Sequence, residues 1–81
     1  MSQIEFLGEE RRVSDHVYGL SEIVGSSTTG VDDAVRAAIR KASETIRHIE
    51  WFESSEIRGH VVDGDIAYFQ VKLKIGFRVD I

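Results

Sequence analysis

The sequence predicts an α+β fold in which one helix covers one face of a curled three-stranded antiparallel sheet, in the order β-α-β-β, and three observations carry that prediction. Residues alternate between apolar and polar from Tyr68 to Val79, Asp63-Gly64 marks a tight hairpin, and apolar residues recur at steps of three and four after Gly30. Each observation fixes the period or the boundary of one element.

The first strand is His16-Val-Tyr-Gly-Leu-Ser-Glu-Ile-Val24, rich in β-branched and aromatic residues and closed by the loop Gly25-Ser-Ser-Thr-Thr-Gly30. That loop has glycines and hydroxyls ahead of a helix, yet it lacks the Lys of a P-loop and the glycine spacing of a dinucleotide fold. Thr29 or Gly30 caps the helix, and Asp32 and Asp33 give its first turn the charge that a helix N-terminus favours. Val31, Ala34, Val35, Ala38, Ile39, Ala42, Ile46 and Ile49 form one stripe along it, opposite Arg36, Arg40, Lys41, Glu44 and Arg47. Two strands follow, about Glu50 to Val62 and about Ile66 to Val79, joined at Asp63-Gly64. In the last strand Phe69, Val71, Leu73, Ile75, Phe77 and Val79 share the helix-facing side, and Tyr68, Gln70, Lys72, Lys74 and Arg78 share the other.

A chain of 81 residues buries only about 60–65% of the surface it exposes unfolded. With no cysteine it has no disulfide, and its three scattered histidines are a poor basis for a zinc cluster. The remaining source of burial is a partner subunit, and strands of about a dozen residues, against a usual 5–6, leave long edges to cover. A homo-oligomer is expected. A net charge of −4 argues against a general phosphate-backbone binder, so no nucleic-acid partner is expected. The absence of a run of about 18 apolar residues argues against a membrane helix, and the N-terminus mixes Glu and Arg where a signal peptide shows an apolar core. A soluble, cytoplasmic protein is expected, with residues 1–15 as a loosely held N-terminal extension and 16–81 as the domain.

A two-residue turn at Asp63-Gly64 puts Trp51 opposite Gly76, on the side of Gln70, Lys72 and Lys74, while Phe52 points toward the helix with Ile75 and Phe77. A bulge would shift this register. Trp51 so placed is either a large apolar anchor in a subunit interface or a stacking platform for a planar heteroaromatic ligand beside the space that Gly76 leaves. Gln70 offers donors and an acceptor on one amide, matching the edge of a pyrimidine-like ring. Arg58, His60 and Arg78 are individually ordinary surface residues, and as a set they are candidates to receive a phosphate. His16 and His48 carry no assigned chemistry, and no Ser–His–Asp, Cys–His or paired-carboxylate arrangement emerges from spacing. No catalytic residue and no enzymatic activity are expected.

The stretches Ile23-Val-Gly-Ser-Ser26, Gly30-Val-Asp-Asp-Ala-Val35, Ile49-Glu-Trp-Phe-Glu53, Ile57-Arg-Gly-His60, Tyr68-Phe-Gln-Val71 and Lys74-Ile-Gly-Phe-Arg78 resemble the dodecins, small bacterial and archaeal flavoproteins. The resemblance implies a sheet wrapped around its helix and twelve copies assembled as a hollow dodecamer. It implies flavins bound as stacked pairs between Trp side chains of neighbouring subunits, here Trp51, with Gln70 on the isoalloxazine ring. FMN is the flavin implied, ahead of riboflavin or FAD, with Arg58 and Arg78 on the ligand or its phosphate and Glu50 a further contact. Coenzyme A between subunits is implied at Lys41, Thr45 and Arg47 on the outer helix face. The function implied is storage of flavin with quenching of its photochemistry, the alternatives being a flavin-dependent oxidoreductase and a ligand-free structural oligomer. The N-terminal extension departs from the family pattern.

Overall fold

The computed structural model describes residues 15–80. Strand β1 (Tyr18–Ser27), helix α1 (Val31–Ala42), and strands β2 (Ile49–Val62) and β3 (Asp65–Arg78) follow in the predicted order. The sheet runs β1-β3-β2, with both pairings antiparallel. The central strand is therefore the last one in sequence, the strand whose alternation is cleanest.

That alternation places Val71, Leu73 and Ile75 beneath the helix, fully buried. Ala34 and Ala38 close the core from the helix side, with Ile23, Val31, Val35 and Ile39 packed around them. Small residues on α1 let its backbone come down onto β1 at Gly25. A Cβ at that position would lie 2.2 Å from the Ala34 carbonyl oxygen and 2.9 Å from the Ala38 Cβ. Gly25 is thus a contact point for the helix, and the sequence reading of Gly25 to Ser27 as loop is corrected. These residues continue β1, pairing with Val71, Gln70 and Phe69. Ser27 is buried and ties strand to helix, its Oγ accepting from the Thr29 and Gly30 amides and donating to Asp33 Oδ2 at 2.7 Å. Gly30 occupies the N-cap position with no side chain of its own to offer.

The helix stops at Ala42, short of the predicted run to Ile49. The chain keeps coiling for one more turn, since the Ser43 amide bonds Ile39 O and the Ile46 amide bonds Ala42 O. His48, in the left-handed region at φ 63°, then turns it into β2. Ile46 and Ile49 continue the helical spacing without being helical, and Ile49 pairs with Phe77 as the first residue of β2.

The hairpin turn is as read: Asp63 (φ 52°) and Gly64 (φ 78°) both take positive φ, the requirement of a type I′ turn. Between the turn and Trp51 lie two bulges, one on each strand. Ala67 is the extra residue on β3 between the pairs His60↔Tyr68 and Val61↔Ile66, and Ser55 is the extra residue on β2 between Ser54↔Leu73 and Glu56↔Lys72. They cancel, so Trp51 still faces Gly76 and Phe52 faces Ile75.

The helix lies over β1 and β3 and leaves β2 uncovered. Phe52 is on the helix side as expected, yet 50% exposed, and it forms with Ile57, Val31, Val35 and Ile39 an open apolar groove of ≈ 610 Å³. Beyond Phe69 the hairpin has no third strand, and Val61, Val62 and Ile66 are exposed there. A two-stranded hairpin is marginal in water by itself.

Replacing Gly25 by Ala forces α1 off the sheet at its closest point. Overpacking of this kind costs about 1–3 kcal/mol, and chemical denaturation of the Gly25→Ala chain should show a loss of that order relative to the unsubstituted chain.

Candidate functional site

Gly76 lies on the central strand, near its end, between Leu20 on β1 and Trp51 on β2. A Cβ there would come within 2.2 Å of both Cε2 and Cζ2 of Trp51 and within 2.4 Å of Cη2. A point in the ring plane beyond its edge can be equally near two bonded atoms but is then much farther from the third. Near-equal distances therefore mean that the indole presents its face to β3 and lies flat across the glycine. Its other face is turned away from the sheet, and Trp51 remains 37% exposed.

With no side chain at 76 in the way, the indole reaches across β3 toward β1. There Tyr18 meets it edge-to-face, ring centroids 5.1 Å apart and planes at 68°. Tyr18 pairs with Arg78, and Arg78 Nε donates to Asp80 Oδ1 at 2.9 Å. Asp80 Oδ2 in turn accepts from the Val17 amide at 3.2 Å and stands 3.3 Å from His16 Nδ1. The Arg78 guanidinium above all, helped by the Val17 amide and His16, lowers the Asp80 carboxyl from 3.8 to about 2. Glu50 is the extra residue of a third irregularity, between Ile49↔Phe77 and Trp51↔Gly76, and is exposed beside the indole.

A second cluster occupies the same face toward the hairpin. Arg58 is opposite Gln70, and its Nε donates to Gln70 Oε1 at 3.0 Å, while Gln70 Nε2 donates to Ser26 Oγ at 3.2 Å. One N–H and one lone pair of the amide remain for a ligand. His60 stacks on Tyr68 with centroids 5.4 Å apart, and Glu56 lies 3.9 Å from Arg58.

Trp51 and Gln70 therefore share a face, as the sequence predicts, but not a place. Gly76 is six positions along β3 from Gln70, about 20 Å at ~3.3 Å per residue. Arg58 and Arg78 belong to opposite clusters, so the expectation that Arg58, His60 and Arg78 act as one set is corrected for the single chain. Lys41, Thr45 and Arg47 do not share a helix face either. Lys41 is in the last turn of α1, paired with Glu44 at 3.3 Å, and Thr45 and Arg47 lie beyond the helix end. Sequence reasoning missed Tyr18 and Asp80, whose partners are distant in the chain. The extension read at residues 1–15 lies, apart from Asp15, outside the described residues.

A family model described as Dodecin matches residues 17–80. The chain belongs to the dodecin family. A dodecin of Thermus thermophilus is 42% identical over 64 residues, covering 79% of this chain and 93% of the relative. Among solved structures, dodecin from Streptomyces coelicolor superposes with a TM-score of 0.79 at 48% identity, covering 85% of this chain and 99% of that one. Dodecin from Streptomyces davaonensis gives 0.78 at 48% identity, with 83% and 98% covered. The dodecin match takes in both outer-face clusters and begins at Val17, one residue after His16. Among the described residues no helix is long and apolar enough to cross a membrane.

Two outcomes follow from this geometry. An NMR titration of Asp80 should give a midpoint near 2, moving up toward 3.8 in Arg78→Gln. Because the folded value is the lower one, the stabilisation is present above the ordinary carboxylate pKa and disappears as pH falls from about 4 through about 2. Gly76→Ala should lift the indole off β3, changing the near-ultraviolet circular dichroism of the single Trp.

Proposed function

We propose that the protein binds flavin on Trp51 and stores it, without turnover, in a multi-subunit shell. The observation that carries this reading is the indole lying flat over Gly76 on the outer face of the sheet, held from below and with its other face open. A flat aromatic surface so fixed is a platform for a planar ring, and membership of the dodecin family supports an isoalloxazine as that ring.

The single chain supplies only parts of a site. Trp51 with Glu50 and Arg78 stands at one end of the sheet and Gln70 with Arg58 at the other, too far apart to hold one flavin ring system. We therefore assign the two clusters of one site to different copies of the chain in a homododecamer, with flavins stacked in pairs between Trp51 side chains. Gln70 bonds the pyrimidine edge of the ring through the donor and acceptor left free by Arg58 and Ser26. FMN is the proposed ligand, its phosphate met by Arg58 or Arg78. Close stacking on an indole quenches the excited flavin by electron transfer, which limits its photochemistry. Lys41, Thr45 and Arg47, gathered around the end of α1, form the proposed contact for coenzyme A between subunits.

Stacking on an aromatic face contributes roughly 1–3 kcal/mol, by analogy with bases on aromatic side chains, or about 5- to 150-fold in affinity. Fluorescence titration should therefore show quenching of FMN by the unsubstituted protein and binding weakened by that factor in Trp51→Ala. Unchanged affinity in the variant would overturn the platform. A colourless oligomer whose Trp emission ignores FMN would leave Trp51 as an interface anchor.

A further inference from the structure

The indole of Trp51 has a floor in Gly76 but no backbone reason to keep one orientation. Trp51 sits on β2, an edge strand, immediately after the irregularity at Glu50, where the ladder is interrupted. What meets the ring from the side is Tyr18, carried by the opposite edge strand and reaching it across β3. That contact exists only because residue 76 has no side chain, since any Cβ there would occupy the path of the indole.

Tyr18 is in turn unusually well held for the first residue of a strand. The amide of the preceding residue, Val17, donates to Asp80, the Val17 carbonyl accepts from the Val79 amide at 3.0 Å, and Asp80 also holds Arg78, the β3 partner of Tyr18. Strand starts normally fray, and this one is closed by a clasp between the two ends of the domain. The clasp holds the strand at Tyr18, and Tyr18 stands edge-to-face against the indole.

We propose that Tyr18 is a positioning residue for the ligand platform: its ring braces Trp51 edge-on, so that the free indole face is presented at one angle before a ligand arrives. The proposal rests on the reading of Trp51 as a flavin platform. A platform already at the right angle avoids the cost of ordering a large side chain on binding. The strength of an edge-to-face aromatic pair corresponds to about 2- to 12-fold in affinity.

The test uses the full chain, with assembly of each variant checked by sedimentation. Tyr18→Leu keeps an apolar strand residue but removes the brace, and Tyr18→Phe keeps the ring and removes only the hydroxyl. Tyr18→Leu should bind FMN about 2- to 12-fold more weakly and alter the circular dichroism of the bound flavin, with Tyr18→Phe restoring both to those of the unsubstituted protein. Native affinity and dichroism in Tyr18→Leu, or equal losses in the two variants, would overturn the proposal. A second measurement does not depend on flavin. In the ligand-free protein, Tyr18→Leu should change the near-ultraviolet dichroism of the single Trp and Tyr18→Phe should not. If the unsubstituted protein fails to bind FMN, the flavin reading falls while this measurement still decides the brace.

Discussion

The contact on which the rest of this structure depends is the packing of α1 onto β1 and β3 through Ala34, Ala38 and Gly25. Small residues on both sides bring the helix backbone so close to the sheet that its axis cannot shift toward β2 without opening the core over Val71 and Leu73. A helix of 12 residues fixed in that position covers two strands and no more. The uncovered third strand, with Phe52 and Ile57 beside an open groove, follows directly. So does the overhanging hairpin. Apolar area left bare on this scale in so short a chain marks an interaction surface, and association with other copies of the chain is the reading it fits.

The outer face is organised by an absence. On β3 the alternation that buries Val71, Leu73 and Ile75 sends Gln70, Lys72, Lys74 and residue 76 outward, and only the last has no side chain. A glycine in a central strand weakens that strand, which makes sense here only as a place for another group to approach closely. The group is the Trp51 indole, and its passage over the glycine links β2 to β1 through Tyr18. Three strands are thereby joined on the outer face by aromatic contact as well as by backbone hydrogen bonds.

Much of this was legible in the sequence, for reasons that are local. The alternation of β3, the Asp63-Gly64 turn and the Trp51↔Gly76 pairing depend on neighbouring residues or on counting from a turn of known length. The bulges at Ala67 and Ser55 were invisible, and the register survived because each undoes the other. Between them, however, the register is shifted by one, and that interval is what turns Arg58 outward to meet Gln70 instead of inward beneath Phe69. The helical spacing outruns the helix because Ile46 and Ile49 keep its period while serving a turn and a strand. Gly25 to Ser27 carry the composition of a loop although they continue β1, and nothing local reveals a helix descending on Gly25. Tyr18 and Asp80 escape a local reading for the same reason: the contacts that define them, Tyr18 with Trp51 and Asp80 with Val17 and His16, join residues far apart in the sequence.

The separation of the two outer-face clusters converts an oligomerisation argument into a functional one. Burial alone calls for partner chains but does not say how they meet. Trp51 and Gln70 at opposite ends of a sheet constrain the meeting, because a single planar ligand engages both only if the Trp51 end of one copy approaches the Gln70 end of another, or if symmetry gathers equivalent ends around one point. On the proposed reading, either arrangement would place the ligand between subunits, where stacking and amide hydrogen bonds face least competition from water. The acceptor of Gln70 is then oriented by Arg58, the amide by Ser26, and the indole by Gly76 and Tyr18, each within its own chain. Assembly has only to bring together parts that folding has already set.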